Sequence, residues 1–373
     1  MKETNRVEVG AGHHINRSIE SNKCFIGVVV ERCSVSADFG VRFNKSLVAG
    51  ESMQRDEART ALEQILDGTV EATHIASFLT ALTAKGETVE EMTGFVDAMM
   101  SRATRVEVPV ECVDIVGTGG DQLHSVNIST MASFAVAGAG VKVAKHGNRS
   151  ATSSVGSADV LEALGIKLDC GPDLVRRSID EAGFGFFYAP FFHSTLVNMA
   201  PIRRVLGFRT IFNVLGPLAN PAQVQHMVLG VAQERVLALM ADVLVHRGID
   251  RAFLVRGSDG LDELTLHGAT TIYDVTREGA TSREIQAGDE LGVHHPTSAL
   301  VGGDLGVNVQ VFRDFLSATP GAVFDVACAN AGLALVAAGA AADLETGFHL
   351  AVDSVRSGAA QKALARAVEI SQQ

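Results

Sequence analysis

The stretch VDIVGTGGDQLHSVNIST, residues 113–130, turns from an apolar run into a cluster of glycines followed by polar residues. Glycines let backbone N–H groups approach an oxyanion, because no Cβ stands in the way. A helix is predicted to begin near Ser129 and Thr130, and the positive end of a helix offers further N–H donors. The alternative is a tight turn that binds nothing. Asn127, Ser129 and Thr130 at the predicted helix start favour a phosphate or pyrophosphate site.

A second loop, KHGNRSATSSVGSAD (residues 145–159), also lies between a predicted strand and a predicted helix. It combines Lys145 and Arg149 with His146, Asn148 and several hydroxyl groups. Two cations and many donors suit a second phosphate group. A solvated, serine-rich loop is the alternative. We expect Lys145 and Arg149 to be available to a ligand, since neither has an acidic partner nearby in the sequence.

The adjacent carboxylates Asp262 and Glu263 follow the predicted strand RAFLVRG. Such oxygen ligands suit Mg²⁺, which prefers a few carboxylates together with substrate phosphates. A carboxylate about 4 Å from a phosphate oxygen is repelled by roughly 4 kcal/mol at an effective dielectric of 20, and a bridging cation turns that repulsion into attraction. An Asp-Glu pair alone is weak support, so it counts only together with the two loops.

The segment MAPIRRVLGFRTIFNVLGPLANP, residues 199–221, sets Arg203, Arg204 and Arg209 among apolar residues. An arginine on an apolar wall can bind a planar carboxylate through two parallel hydrogen bonds. Arginines also pair with acids or extend into solvent. The spacing alone does not decide between these roles.

The elements that must position these segments change in type along the chain. Between residues 56 and 100, apolar residues recur at helical spacing in three runs, and the last run opens with a capping box at Thr88–Glu91. After Pro109, predicted strands alternate with predicted helices, which is typical of a largely parallel sheet with covered faces. Ligands of such sheets bind beyond the carboxyl ends of the strands, where the predicted loops would meet.

The composition argues against several classes of protein. The formal net charge of −12 repels nucleic acid and anionic membrane surfaces. The five cysteines are scattered and form no C-x-x-C pair, which indicates a reducing compartment and neither disulfides nor a zinc site. No apolar run reaches the roughly 18 residues of a membrane span. We therefore expect a soluble, cytoplasmic protein that binds neither nucleic acid nor membrane.

From about Val41 to the C-terminus the chain resembles the anthranilate phosphoribosyltransferase family, in the ordered segments GTGGD, NIST, KHGNRS, GSADVLEALG, IRRVLGFRTIFNVLGPLANP and GLDELT. The resemblance implies an α/β protein with a small all-helical domain, residues 41–108, to which about residues 201–217 contribute. Residues 109–373 would form a large α/β domain with a central, mostly parallel mixed sheet and helices on both faces. Residues 1–40 are an unmatched extension. A homodimer is also implied.

The activity that the resemblance implies is transfer of the phosphoribosyl group from 5-phosphoribosyl 1-pyrophosphate (PRPP) to the amine of anthranilate, the second step of tryptophan synthesis from chorismate. An aniline nitrogen is a poor nucleophile, whereas pyrophosphate leaves readily once Mg²⁺ takes up its charge. A dissociative displacement is therefore expected, without a catalytic acid or base. The protein would supply positioning, through Lys145, Asn148 and Arg203, and charge stabilisation.

The resemblance also assigns site residues. Ser129, Asp262 and Glu263 would bind Mg²⁺. Anthranilate would contact Gly117, Asn148 and Arg203, with Arg203 meeting its carboxylate. The PRPP-binding residues would be Gly117, Gly120, Asp121, Ser125, Asn127, Ile128, Ser129, Thr130, Lys145, His146, Gly147, Asn148, Arg149, Ser153 and Ser157.

Three positions depart from the family pattern: Gln122 replaces a usual glycine, Ser154 a common lysine and Ser194 a usual proline. These changes could shift affinity or acceptor choice. A pyrimidine nucleoside phosphorylase is one rival, but it would carry Lys-His ahead of its Thr-Gly-Gly. A nucleic-acid-binding paralogue is another, and it would need a basic face. An enzyme of the same chemistry that acts on a substituted anthranilate in secondary metabolism stays open.

Overall fold

The computed structural model describes residues 38–121, 123–150 and 155–373. The expectations for residues 1–37 and for Gln122, Ser153 and Ser154 lie outside these residues. Within them, no helix is long and apolar enough to cross a membrane.

The N-terminal part is a helical unit whose core is apolar and aromatic, with Phe78 and Phe95 in edge contact at 6.1 Å between ring centroids. The helix at residues 89–102 opens with the predicted capping box, because the Glu91 N–H donates to Thr88 Oγ1 and the Thr88 N–H donates to the Glu91 carboxylate. The three predicted helices are confirmed. The unit comprises a π-helical turn (Gly40–Asn44), α1 (Lys45–Val48), α2 (Arg55–Leu66), α3 (Ala72–Lys85) and α4 (Val89–Arg102).

The larger part is built on a seven-stranded sheet with the strand order β3-β2-β1-β4-β5-β6-β7. Strands β1 to β5 are parallel, whereas β6 and β7 are antiparallel, so the expected mostly parallel mixed sheet is confirmed. The strands are β1 (Val113–Gly117), β2 (Val143–Gly147), β3 (Phe184–Tyr188), β4 (His226–Gly230), β5 (Arg251–Gly257), β6 (Thr270–Thr276) and β7 (Gly279–Ile285).

Helices surround the sheet and connect its strands. They are α5 (Ile128–Gly138), α6 (Ser157–Ala163), α7 (Pro172–Ala182), α8 (Ala189–Phe192), α9 (Ala200–Leu206), α10 (Phe212–Leu218), α11 (Glu234–His246), α12 (Ala287–Leu291), α13 (Leu305–Leu316), α14 (Ala322–Ala337), α15 (Leu344–Arg356) and α16 (Ala359–Ser371). Short 3₁₀ helices lie at Ser194–Met199 and Thr297–Leu300.

Both faces of the sheet are buried at its centre, as the alternation along β4 shows. Val228 packs in the core with the alanine-rich helix α14, whereas Met227 and Leu229 pack in the core that includes Phe95 of the helical unit. Successive residues of a strand point to opposite faces, so one strand serves both cores. The helical unit is thereby fixed against the sheet.

Two features of this architecture position the site. The parallel strands β1, β2 and β4 end at the same edge, and Gly117 at the end of β1 pairs in register with Gly230 of β4. The segment carrying α9 and α10 leaves the α/β part and contacts helices α3 and α4 of the helical unit. The strand ends therefore face a wall made by that segment and the helical unit.

Candidate active site

A cavity of about 330 Å³ lies beyond the carboxyl ends of the parallel strands. Its wall brings together residues that are far apart in the sequence. Every described residue that the resemblance assigned to PRPP, anthranilate or Mg²⁺ borders it. Thr118, Met99, His193, Phe212 and Asn213 border it too, and the sequence interpretation did not assign them.

The glycine loop after β1 is shaped around two side chains. A Cβ at Gly117 would overlap the Asp262 carboxylate, and a Cβ at Gly120 would overlap the guanidinium of Arg209. On the neighbouring strand, a Cβ at Gly230 would overlap the Asp262 main chain. Gly120 also has a φ of +79°, which favours glycine. The Gly119 N–H donates to Asp262 Oδ2 at 2.7 Å. The missing side chains thus bring the loop close to a carboxylate and a guanidinium.

The first turn of α5 closes the same wall. The Ser129 N–H donates to Glu263 Oε1 at 3.2 Å, which joins the helix start to the acidic pair. Asn127 Oδ1 and Thr130 Oγ1 are buried and have no hydrogen-bond partner among the described residues. Because buried polar atoms are normally paired, these two atoms leave hydrogen-bonding capacity for a ligand.

Lys145, in the middle of β2, is only 2% exposed. Its ammonium donates to the main-chain oxygen of Ile115 and, at 3.2 Å, to Ser129 Oγ. Burial lowers the pKa of Lys145, and the nearby carboxylates of Asp114 and Glu263 oppose that shift. Lys145 therefore reaches the centre of the site, where the two carboxylates favour its charged form.

Asp114 is a buried site neighbour that sequence reasoning missed, since it lies inside the apolar strand β1. Burial raises the pKa of Asp114 to about 6, against the opposing effects of Lys145 and a hydrogen bond from Asn220. Asn220 Nδ2 donates to Asp114 Oδ2 at 2.8 Å and to the Ala144 oxygen at 2.8 Å. The signal in the sequence was an acid within a strand predicted to be covered on both faces.

The acidic pair lies opposite Lys145. Burial, together with the charge of Asp121, raises the pKa of Asp262 to about 6. Burial and the charge of Asp262 raise the pKa of Glu263 well above its usual range, while Lys145 opposes the shift. The negative charges of these carboxylates are therefore not fully balanced by cations and hydrogen-bond donors among the described residues.

The donor set fits a hard cation such as Mg²⁺, because it consists of buried carboxylates and the Ser129 hydroxyl. Among the described residues, no three His, Cys, Asp or Glu side chains are grouped to hold a metal ion. An ion at Asp262 and Glu263 would need further oxygen ligands, and substrate phosphates supply them in many Mg²⁺ sites.

The second loop corrects one expectation. Arg149 does have acidic partners: Nη1 lies 2.8 Å from Asp159 Oδ1, and Nη2 lies 2.9 Å from Glu162 Oε2. Both acids belong to α6, the helix that follows the loop, and helix formation brings them back to the arginine. Hydrogen bonds to these acids raise the pKa of Arg149. The charge of Arg149 is thus already paired at the cavity rim, unlike that of Lys145.

The backbone of this loop is fixed locally. The Arg149 N–H donates to Asn148 Oδ1 at 2.7 Å, and Ser157 Oγ donates to the Asn148 oxygen at 3.3 Å. A Cβ at Gly147 would overlap Ser157 Oγ and the Phe186 ring. These contacts hold Asn148 at the cavity wall.

The wall on the α9–α10 side is weakly polar. The rings of His146 and His193 lie 5.3 Å apart between centroids. Burial and the neighbouring His193 lower the pKa of His146 to about 3, and burial lowers the pKa of His193. His146 Nδ1 lies 3.0 Å from the Gly216 oxygen, and Nε2 is buried without a partner among the described residues. Both rings are therefore neutral near pH 7.

Arg203 is the cation of this wall. Its guanidinium carbon lies 5.9 Å from the centre of the Phe212 ring. Burial lowers its pKa, as does the positive charge of Arg209. No carboxylate pairs with Arg203 in the part of the chain that the structure describes. Ser194, the departure nearest this wall, is exposed at the start of the 3₁₀ helix that precedes α9.

Comparisons with known proteins agree with this arrangement. Residues 110–361 match the glycosyl transferase family, a/b domain, and residues 41–103 match the helical bundle domain of that family. The anthranilate phosphoribosyltransferase of Rhodopseudomonas palustris is 44% identical over 331 residues, which cover 88% of this chain and 98% of the relative.

Solved structures give the same result. The anthranilate phosphoribosyltransferase of Thermus thermophilus superposes with a TM-score of 0.83 at 38% identity, covering 88% of this chain and 99% of that one. The Saccharomyces cerevisiae enzyme in complex with PRPP and Mg superposes with a TM-score of 0.82 at 26% identity, covering 90% of this chain and 98% of that one. The chain therefore belongs to the anthranilate phosphoribosyltransferase family.

Proposed function

We propose that the protein transfers the phosphoribosyl group of PRPP to the amine of anthranilate, giving N-(5-phosphoribosyl)anthranilate and pyrophosphate. This reaction is the second step of tryptophan synthesis from chorismate. One observation carries the proposal. A single cavity joins a charge-dense wall, which suits a diphosphate, to a weakly polar wall with one unpaired arginine among the described residues, which suits an aromatic carboxylate.

PRPP occupies the charge-dense wall in this proposal. The loop after β1 and the first turn of α5 offer N–H and hydroxyl donors to the diphosphate. Lys145 adds a cation beside Ser129, 3.2 Å away. Asn148 and Ser157 of the second loop bind the remaining phosphate and ribose oxygens. Arg149 contributes less charge, because Asp159 and Glu162 already pair with it.

Asp262, Glu263 and the Ser129 hydroxyl would hold Mg²⁺. When bound, it supplies the positive charge that makes pyrophosphate a good leaving group. The raised pKa values of the two buried acids support this assignment, because such a shift is expected of carboxylates that lack a full counter-charge among the described residues.

Anthranilate occupies the other wall. Arg203 binds its carboxylate through charge-assisted hydrogen bonds, and Asn148 and Gly117 contact the ring or the amine. The neutral His146 and His193 add no charge beside the amine, whose lone pair must stay unprotonated to attack. The protein orients the amine towards the ribosyl carbon and stabilises charge by preorganised donors. The bond from the ribosyl carbon to pyrophosphate breaks as the bond to the amine nitrogen forms, and the proton that the amine loses passes to the released pyrophosphate or to water, so the step requires no protein base.

The test measures loss of anthranilate fluorescence when enzyme, PRPP and Mg²⁺ are all present, with each omitted in turn. We expect the loss only in the complete mixture. Fluorescence that persists while PRPP still binds would overturn anthranilate as the acceptor, and a panel of substituted anthranilates would then identify the preferred one. Phosphate-dependent cleavage of thymidine, followed in parallel, would indicate the nucleoside phosphorylase alternative.

We also propose that the enzyme is a cytoplasmic homodimer. Val41 and Val48 of the helical unit are 69% and 74% exposed, and a subunit interface would cover such side chains. The scattered cysteines suit a reducing compartment. Light scattering on the purified protein should give twice the monomer mass. A monomer at micromolar concentration would contradict the assembly.

A further inference from the structure

Arg209 lies between α9 and α10 and contacts the glycine loop at the cavity wall. The spacing of the arginines in the sequence left its role open. Arg209 follows Gly207, which ends α9 in the left-handed conformation with a φ of +68°. The guanidinium reaches across to the glycine loop after β1. Nη2 donates to the main-chain oxygen of Thr118 at 3.2 Å.

The contact with Gly120 is close and specific. A side chain at Gly120 would overlap Arg209 Nη1, so the guanidinium lies directly on the backbone of the loop. Thr118 is also held from the opposite side, because its N–H donates to the Gly230 oxygen at 2.8 Å and its Oγ1 accepts from the Ala232 N–H at 3.2 Å. The loop is therefore fixed between β4 and Arg209.

The charge of Arg209 is also incompletely paired. Burial lowers its pKa, while the charges of Asp262 and Asp121 oppose the shift without forming an ion pair with it among the described residues. Nε is buried and has no hydrogen-bond partner there. An arginine present only for stability would be expected to have its donors satisfied.

We infer that Arg209 is a positioning residue that holds the glycine loop in its diphosphate-binding conformation and couples that loop to the α9 segment carrying Arg203. The inference rests on the proposed function, since the loop is taken to bind PRPP. Arg209 acts through Thr118 and Gly120 and need not touch the substrate.

The test compares Arg209→Met and Arg209→Lys with Arg204→Met, the exposed arginine of the same segment. Losing a hydrogen bond from a charged donor should raise the KM for PRPP about 10- to 100-fold in Arg209→Met. The KM for anthranilate should change less than about threefold, because Arg209 contacts Thr118 and Gly120 and none of the residues assigned to anthranilate. Arg209→Lys should recover part of the loss, and Arg204→Met should behave as the wild type.

Equal rises in both KM values, or no change, would overturn the inference. PRPP binding to Arg209→Lys by calorimetry keeps the test valid if Arg209→Met does not fold. Binding also separates this inference from the proposed function: if wild-type protein binds PRPP but does not consume anthranilate, the reaction is wrong, while the calorimetric comparison still decides the role of Arg209.

A double variant sharpens the result. Because a Cβ at Gly120 would overlap the guanidinium, Gly120→Ala should weaken PRPP binding less when Arg209 is already Met than when it is Arg. If the loss of PRPP affinity in the double variant equals the product of the losses in the two single variants, the two residues act separately. That result would contradict the proposed contact.

Discussion

The protein buries acidic side chains in the helical unit and at the cavity, and the two groups differ in how many hydrogen-bond and ionic partners they have. In the helical unit, Glu91 is fully buried, and both of its oxygens are paired. Oε1 accepts from the Met53 N–H at 3.0 Å, while Oε2 accepts from Lys85 Nζ at 2.9 Å and from Thr88. This carboxylate has every partner it needs within the chain.

At the cavity, Asp262 and Glu263 are nearly as buried, yet each accepts one backbone N–H, from Gly119 and Ser129 respectively. Among the described residues, Lys145 is the only cation whose charge lowers the pKa of Glu263. The pKa values of both acids are nevertheless raised. A buried charge with all its hydrogen-bond and ionic partners stabilises a single conformation. A buried charge that lacks such partners favours binding of an ion of opposite charge. The difference separates a stabilising cluster from a ligand site.

The largest effect should come from neutralising the acids of the site. Asp262→Asn with Glu263→Gln should lower Mg²⁺-dependent turnover about a thousandfold or more, since the ion contributes several kcal/mol to charge stabilisation. The free energy of unfolding without ligands should stay the same or rise, because two uncompensated buried charges are gone. Fluorescence assays and thermal unfolding measure the two quantities. Unchanged turnover would refute the metal assignment.

The matching change in the helical unit should lower stability and leave turnover unchanged. Glu91→Gln leaves Lys85 without its carboxylate and should lower the free energy of unfolding by about 3 kcal/mol, while turnover per folded molecule stays unchanged. Urea unfolding checks the first part. Glu90→Gln, at the exposed neighbouring position, is the control and should change stability by less than about 0.5 kcal/mol. If both variants behave alike, the comparison of the two clusters fails.

A smaller effect is expected on the weakly polar wall. Arg203→Ala should raise the KM for anthranilate about 10- to 100-fold through loss of charge-assisted hydrogen bonds, and should leave the KM for PRPP nearly unchanged. Arg204→Ala is the control at an exposed position. An effect confined to PRPP would remove Arg203 from the acceptor site. Initial rates with one substrate varied at a time provide the measurement.

The smallest effect concerns pH. The pKa of His146 is about 3 in the folded protein, below its ordinary value of 6.5, so the unfolded chain takes up a proton first as the pH falls. Folding stability due to this residue is therefore present above pH 6.5 and lost towards pH 3, by at most about 1.4 kcal/mol per pH unit.

The comparison with His146→Asn isolates this contribution from that of Asp114 and Asp262, whose raised pKa values act in the opposite direction. The stability difference, wild type minus variant, should decrease as the pH is lowered from about 7 to about 5. Urea unfolding at several pH values measures it. A difference that does not depend on pH would show that the ring is not held neutral by burial.

Local signals predicted much of this molecule. The helices of the helical unit follow from apolar spacing and a capping box, both of which act within a few residues. The glycine loop, the start of α5 and the acidic pair each follow a strand, so their meeting at one edge could be expected from the sheet. The resemblance then supplied the roles.

Other features depend on distant partners. Strand β7 was not predicted, since its residues Thr281 to Glu284 are exposed and show no apolar alternation. The acidic partners of Arg149 were missed although a helix was predicted at α6, because Asp159 and Glu162 lie 10 and 13 residues further along the chain and only the folded loop brings them to the arginine. The role of Asp114 depends on Asn220 and Lys145. The role of Arg209 depends on its contact with Gly120. No local pattern of the sequence encodes these contacts.

The paired glycines Gly117 and Gly230 have a consequence for how such enzymes diverge. Both lie in register on adjacent strands, and together they leave a notch into which Asp262 fits. In a lineage that lost the carboxylate, selection on Gly117 would relax, because a Cβ there meets the Asp262 side chain, whereas a Cβ at Gly230 would still overlap the Asp262 main chain. Gly117 and Asp262 should therefore be inherited as a pair, and their joint loss, with Gly230 retained, would mark paralogues that have abandoned the chemistry.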